Sequence, residues 1–306
     1  MGYHIDGIRD RVQVFDVVVT GAGPAGAAVS RRLVRMGWRV ALVHRHAPRA
    51  PRFGETLPPV VTPLLRDLGL FEAFLETRPL ESPGTISAWG SARVECRDFV
   101  SNPHGCGWHV DRDAFDEMLR AQSGAEIIDR APESRFVIDA TGATSGPRDF
   151  AEQTVAIVAE LNGSGSDLRT AIESVPQGWW YTSPIPGGKT MAMLFVDAAA
   201  YARDGVVLGD ALELAPLTRS RIAGARLSIA RPAAATASIR RELHGDNWLA
   251  IGDAAVAFDD GRYNQDRTHY FAARARSIAC VSSLDSGSTA ESKRASTLPL
   301  RSTRYL

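Results

Sequence analysis

The sequence predicts an α/β fold, in which a parallel sheet covered by helices carries a second, smaller β-sheet lobe. Three observations predict it. A short apolar run, a glycine-rich turn and an amphipathic stretch closed by Gly37 follow one another from Phe15 and lead to a second apolar run at Val40–Val43. Two later apolar runs, Arg135–Gly142 and Asn247–Phe258, also end in small-residue turns. Between them lie aromatic and β-branched segments, Gly178–Pro186 and Thr190–Val196, whose composition favours strands.

In the first of these units, FDVVVTGAGPAG, Phe15, Val17, Val18 and Val19 form the β-branched run of a strand covered on both faces. Gly21, Gly23 and Gly26 supply G-x-G-x-x-G. The first glycine permits the bend, the second admits a pyrophosphate to the backbone, and the third lets helix approach strand. Ala25, Val29 and Leu33 share a face of the helix, whose N-terminal N–H groups would face the phosphates, and Gly37 closes it. This is a Rossmann-like β-α-β unit. A carboxylate would ordinarily close the second strand and accept from both ribose hydroxyls. His44 stands there, and a neutral imidazole offers one acceptor, so weaker dinucleotide binding is expected.

The Pro- and Gly-rich loop Arg49–Pro59 leads to a helix with Val60, Leu64, Leu65 and Leu68 on its apolar face and Gly69 at its end. Pro83–Cys96 reads as a hairpin about Gly90-Ser91. Gly107–Arg120 begins as a strand and turns helical at Asp111, an N-cap, with Phe115, Met118 and Leu119 inward. Thr154–Leu161 is a strand, Asn162–Asp167 a loop, and Asp210–Ala223 a helix. Asn247–Phe258 is a strand, a Gly-Asp turn and a helix start. After Gly261 apolar periodicity fades, apart from a helix expected around Phe271–Val281, and the Ser/Thr/Arg-rich 282–306 reads as disordered.

With 35 basic and 35 acidic residues the formal net charge is +0, so no nucleic-acid partner or membrane surface is implied. No apolar run approaches the length of a membrane span, and no apolar leader follows Met1, so a cytoplasmic location is expected. Cys96, Cys106 and Cys280 lack metal-ligand spacing, and no metal site is expected.

The blocks GAGPAG, DATG (Asp139–Gly142) and GDAA (Gly252–Ala255) stand in an order that resembles the FAD-binding signature of flavin monooxygenases of the p-hydroxybenzoate-hydroxylase type and their halogenase-like and geranylgeranyl-reductase-like relatives. GETLPP (Gly54–Pro59), GWHVDRDAFDEML and GWWYTSPIP look most like the branch of flavoproteins that mature tryptophylquinone enzymes. The resemblance implies a GR2-type, Rossmann-like FAD-binding domain from 12–78, 107–153 and 235–281, and a substrate lobe from 79–106 and 154–234. It implies FAD contacts from Gly21, Gly23, Pro24, Ala25, Gly26, His44, Arg45, Gly142, Gly252, Asp253 and Ala254.

Individual roles have bland alternatives. Asp253 would bind a ribityl hydroxyl, or serve as an N-cap to a helix pointing at the flavin. Arg112 would reach the FAD phosphates, or pair with Asp116 one turn on. Arg52 and Glu55 are flavin-proximal candidates, or a solvated loop pair. Trp179, Trp180 and Tyr181 would line the substrate lobe, or be core, and alternation turns only one face inward. His104, His109 and His244 read as surface or core histidines.

Halogenases of this group use a lysine downstream of the segment resembling GETLPP, and none lies between Glu55 and Tyr181. Their W-x-W-x-I-P block is also altered. Hydroxylation needs no such lysine, because the flavin delivers oxygen directly to an electron-rich ring. The expected activity is therefore FAD-dependent monooxygenation of an aromatic substrate, a small molecule or a tryptophan in a partner polypeptide, with NAD(P)H or a separate flavin reductase as reductant. A flavin-dependent reductase and a degenerate flavoprotein serving as a binding module are the alternatives. The second rests on His44 and on Asp260–Asp266, where the family continues with a proline and a glycine-rich helix start. That departure is expected of a frame-shifted or truncated end.

Overall fold

A computed structural model describes residues 15–45, 55–91, 93–151, 153–163, 165–205 and 208–257. The expected helix at Phe271–Val281 and the tail at 282–306 lie outside the described residues, as does Arg52.

The elements run in chain order as β1 (Phe15–Thr20), α1 (Pro24–Arg35), β2 (Val40–Val43), β3 (Glu55–Leu57), α2 (Val61–Asp67), α3 (Phe71–Glu76), β4 (Leu80–Ser82), β5 (Gly84–Ala88), β6 (Glu95–Asp98) and β7 (Gly107–Val110). Next come α4 (Arg112–Ala121), β8 (Glu126–Ile128), β9 (Ser134–Asp139), β10 (Arg148–Phe150), β11 (Thr154–Asn162), β12 (Thr170–Val175), β13 (Gly178–Ile185) and β14 (Lys189–Asp197). The chain continues through α5 (Ala198–Asp204), α6 (Leu208–Glu213), α7 (Pro216–Arg221), β15 (Arg226–Ala234), β16 (Ser238–Arg240), β17 (Trp248–Ala250), a 3₁₀ turn (Gly252–Ala254) and β18 (Val256–Ala257).

The parallel sheet has the order β17-β9-β1-β2-β8. Its central strand is apolar on both sides, with Val17, Val18 and Val19 all buried, because helices or loops cover both faces. Leu33 of α1, Phe115 and Leu119 of α4, and Phe74 of α3 fill one face. Phe74 packs edge-on against Trp108 and Phe115 with ring centroids 5.4 and 5.8 Å apart. Asp111 caps α4 as expected, its Oδ1 accepting from the amides of Asp113 and Ala114.

The second large sheet has the order β15-β11-β14-β13-β12-β5-β6. The segments Gly178–Pro186 and Thr190–Val196 form its central hairpin, registered Trp179↔Phe195 and Tyr181↔Met193. Helices α6 and α7 cover one of its faces, and a three-stranded sheet β3-β7-β4 touches the other. A further small sheet, β10-β16-β18, adjoins the parallel one.

Several local expectations are corrected. Leu64 is 48% exposed, because the first helix is short and turns Thr62 and Leu65 inward. A second helix, α3, follows Gly69 at once. The hairpin of β5 and β6 closes through residues 89–94, not about a two-residue turn, and pairs Ser87 with Glu95. The helix expected over Asp210–Ala223 is divided into α6 and α7, since Pro216 cannot donate a backbone hydrogen bond and instead opens α7. The helix expected to start at the Gly-Asp turn is a single 3₁₀ turn followed by β18, which pairs with β16. No helix among the described residues is long and apolar enough to cross a membrane.

Candidate FAD-binding site

The carboxyl ends of β1, β9 and β17 lie side by side, and the three small-residue turns leave the sheet from that shared edge. In open α/β sheets this is the edge outside which ligands bind. The backbone fixes the arrangement. Ala140 N donates to Thr20 O at 2.7 Å, Ile251 N to Asp139 O at 2.8 Å, and Gly21 N to Val43 O at 3.2 Å.

The glycines are required by contact. A Cβ on Gly21, whose φ is +103°, would stand 2.3 Å from Ala140 O, and one on Gly26 would stand 1.9 Å from Gly21 O. These turns therefore pack backbone against backbone, and GAGPAG abuts DATG directly. Gly23 and Gly142 differ, since a methyl on either would meet no protein atom within 4 Å. The full side of the turn faces the sheet and the open side faces outward at Gly23, the position where a pyrophosphate approaches the backbone. The glycine pattern fits FAD. Pro24 opens α1 at its first turn and Ala25 follows it.

GDAA closes on the same cradle, its Gly252 resting against Ala25. Arg148, only 8% exposed, holds this turn from behind. Its Nη1 donates to Ala254 O at 3.0 Å and its Nη2 to Asp253 O at 3.0 Å, while Nε donates to Ser238 Oγ at 2.9 Å. The carbonyls of the turn are thus directed at the protein. Asp139 is anchored likewise. Its Oδ1 accepts from Thr141 N at 3.0 Å and Thr141 Oγ1 at 2.6 Å, and its Oδ2 accepts from Ser145 Oγ and Arg240 Nη1. Burial alone would raise this carboxyl, but the bonds from Ser145, Thr141 and Arg240 outweigh it and hold the pKa below the usual value. Arg240 also lies over the Trp248 ring at 4.4 Å.

The remaining expected site residues fall in several places. His44 and Arg45 follow β2 directly, His44 N donating to Ile128 O at 2.7 Å. Arg112 Nε pairs with Asp116 Oδ1 at 3.3 Å within α4. Glu55 opens β3, opposite Val110. Trp179 and Tyr181 share a face of β13, Trp179 stacking on Phe195 at 3.8 Å. Trp180 points the other way, is 3% exposed, and donates its Nε1 to Ala211 O at 3.3 Å, packed with the helices. Alternation along the strand divides the three aromatics. Among the described residues no group of His, Cys, Asp or Glu is arranged to hold a metal ion.

Sequence reasoning missed Arg148, Arg240 and a buried polar cluster around His109. An arginine after Gly-Pro reads as surface, and nothing in the pattern marks Arg148. His109 carried a signal, because it interrupts the apolar strand Gly107–Val110, all four residues of which are buried. It is 0% exposed, and burial, with a smaller contribution from the charge of Arg221, pushes its pKa down to about 4, so the ring is neutral.

Residues 14–148 match the family described as FAD binding domain. The first half of the chain is thus similar to FAD-binding domains, and the fold is shared with FAD-dependent halogenases and a monooxygenase. It is 26% identical over 291 residues to the 1H-pyrrole-2-carbonyl-[peptidyl-carrier protein] brominase of Pseudoalteromonas luteoviolacea, covering 78% of this chain and 70% of that protein. The myxobacterial chondrochloren halogenase CndH superposes with TM-score 0.73 at 22% identity, covering 81% of this chain and 70% of CndH. The peptidyl tryptophan dihydroxylase QhpG superposes with TM-score 0.59 at 23% identity, covering 80% of this chain and 61% of QhpG.

Proposed function

We propose that the protein is an FAD-dependent monooxygenase that hydroxylates an aromatic substrate, with a tryptophan side chain in a partner polypeptide among the candidates. The observation that carries hydroxylation over halogenation concerns lysine. None lies between Glu55 and Tyr181, and Lys189 is committed to Glu160, with Nζ 2.8 Å from Oε1 at the end of a hairpin. QhpG, whose fold the chain shares, acts on a peptidyl tryptophan, and the brominase acts on a carrier-protein-bound pyrrole, so a macromolecular substrate suits this scaffold.

FAD, when bound, supplies the redox centre that activates O₂, with NAD(P)H or a separate flavin reductase providing electrons. The chain's own residues bind and orient it. Gly21, Gly23, Pro24, Ala25 and Gly26 would hold the pyrophosphate, with His44 and Arg45 at the adenosine end. Arg112 would turn from Asp116 towards the phosphates, and Gly142, Gly252, Asp253 and Ala254 would line the ribityl and flavin end. Glu55, and Arg52 in the preceding loop, would border the flavin. Trp179 and Tyr181 would line the substrate lobe and help exclude water from the reacting ring. Free Cys96 and Cys106 suit the reducing cytoplasm in which such an enzyme would work.

The test is the visible absorption spectrum of purified protein before and after adding FAD, followed by O₂ consumption with NAD(P)H and aromatic compounds, including tryptophan-containing peptides. A flavin band that travels with the protein and substrate-dependent oxygen uptake are expected. Halide-dependent product would overturn hydroxylation, and failure to bind FAD at any concentration would overturn the enzyme reading.

A further inference from the structure

Four side chains converge on the hydroxyl of Thr56. Its Oγ1 lies 2.8 Å from His109 Nδ1, 2.9 Å from Ser183 Oγ, 2.8 Å from Tyr181 Oη and 3.3 Å from Thr170 Oγ1. These groups come from different elements: Thr56 is on β3, His109 on β7, Thr170 on β12, and Tyr181 and Ser183 on β13. His109 is wholly enclosed, and its Nε2 lies 2.6 Å from Leu168 O.

Counting protons fixes most of the directions. A carbonyl only accepts, so Nε2 of His109 carries the hydrogen and Nδ1 of the neutral ring is an acceptor with one lone pair. Either Thr56 or Ser183 donates to it. If Thr56 donates, Ser183 turns to Pro184 O, 3.0 Å away. If Ser183 donates, at 2.9 Å, Thr56 donates to Ser183. Under the first arrangement Tyr181 and Thr170 both donate into Thr56 and fill its two lone pairs. Under the second Tyr181 still donates into Thr56. The phenol hydrogen of Tyr181 is therefore directed at Thr56 in both cases.

The location of this hub matters because of its neighbours along the chain. Thr56 follows Glu55 directly, β3 and β7 pair Thr56 with His109, and β7 runs into α4, where Arg112 is the first residue. A single hydroxyl thus ties the aromatic face of the second sheet to two strands that lead into the proposed FAD contacts.

We propose that Thr56 is a positioning residue that sets the Trp179–Tyr181 face in register with the FAD-binding strands, so that binding FAD and ordering the substrate wall are coupled through one side chain. This rests on the monooxygenase reading for its purpose but not for its geometry. The reach of the hub follows from chemistry. Valine in place of Thr56 keeps the shape and removes a hydroxyl that accepts from Tyr181 and lies within donating distance of His109. Serine restores it.

The experiment compares wild type with Thr56→Val, Thr56→Ser and Tyr181→Phe, by amide hydrogen exchange without cofactor and by FAD titration. In Thr56→Val, exchange is expected to rise about ten-fold in both 55–57 and 181–185, since the loss of one buried hydrogen-bond network is comparable to a factor of ten in local opening. FAD affinity is expected to fall by a similar factor, about ten-fold. Thr56→Ser restores both, and Tyr181→Phe, which keeps the ring, shows the exchange increase in 181–185 alone with a smaller loss of affinity. Exchange that rises only around β3, or Thr56→Ser behaving as Thr56→Val, overturns the proposal. Should Thr56→Val not fold, Tyr181→Phe decides, and unchanged exchange in 181–185 overturns the coupling. Wild type that binds no FAD removes the functional reading, while the exchange comparison still decides the hub.

Discussion

The α-carbon of Gly252 rests against the side chain of Ala25: a methyl built on Gly252 would stand 2.7 Å from Ala25 Cβ. The two residues belong to turns separated by most of the chain, and this contact seats the last turn on the first.

Gly252→Ala meets two obstacles, the contact with Ala25 and a φ of +57°. The left-handed conformation alone costs about 1–2 kcal/mol for a residue with a Cβ. We expect a loss of about 2–4 kcal/mol in urea unfolding together with weakened FAD binding. Adding Ala25→Gly relieves the contact but not the backbone, so the double variant should recover part of the flavin binding and remain less stable than wild type. Full recovery would show that the contact alone was responsible.

Arg148→Met tests the brace behind the same turn. The arginine is buried and donates to Ser238, Asp253 and Ala254, and methionine fills the space without donating. The carbonyls left without donors are expected to cost about 3 kcal/mol. Thermal unfolding should shift down and FAD should dissociate more readily. An unchanged FAD affinity would show that the turn holds its shape without the guanidinium.

Asp139 has a folded pKa below its ordinary value, with hydrogen bonds from Ser145, Thr141 and Arg240 outweighing burial. Its contribution is therefore fully present above the unfolded value of 3.8 and is lost as pH falls through the folded one. Asp139→Asn should lower stability at neutral pH and flatten the acid limb below about pH 4. An acid limb identical to wild type would count against this assignment.

His109 acts in a higher window. Its folded pKa is about 4 against 6.5 for the free side chain, so between these values the unfolded chain holds the extra proton. Stability is full above about pH 6.5 and falls as acid approaches pH 4, by about 3 kcal/mol in all. His109→Gln should remove this limb, and urea midpoints measured across the window would check it.

Much of the fold was legible because its signals are local. The apolar run Phe15–Val19, the spacing of Gly21, Gly23 and Gly26, and the cap at Asp111 each act within a few residues of chain. So did the pairing of Gly178–Pro186 with Thr190–Val196, which a short connection enforces. The strands β8, β15 and β16 are not legible in the sequence, because short or half-exposed strands take their identity from partners distant in sequence. The division of α6 from α7 is written in Pro216, which opens α7.

The sequence by itself determined that three small-residue turns leave the parallel sheet, since turn geometry depends on which residues lack a side chain. Only the tertiary structure decided what holds those turns in place. Arg148, Arg240 and the Thr56–His109 hub have no periodicity and no motif spacing. They are defined by hydrogen bonds between residues 53–127 positions apart, which exist only once the sheets have packed and water has left the space between them.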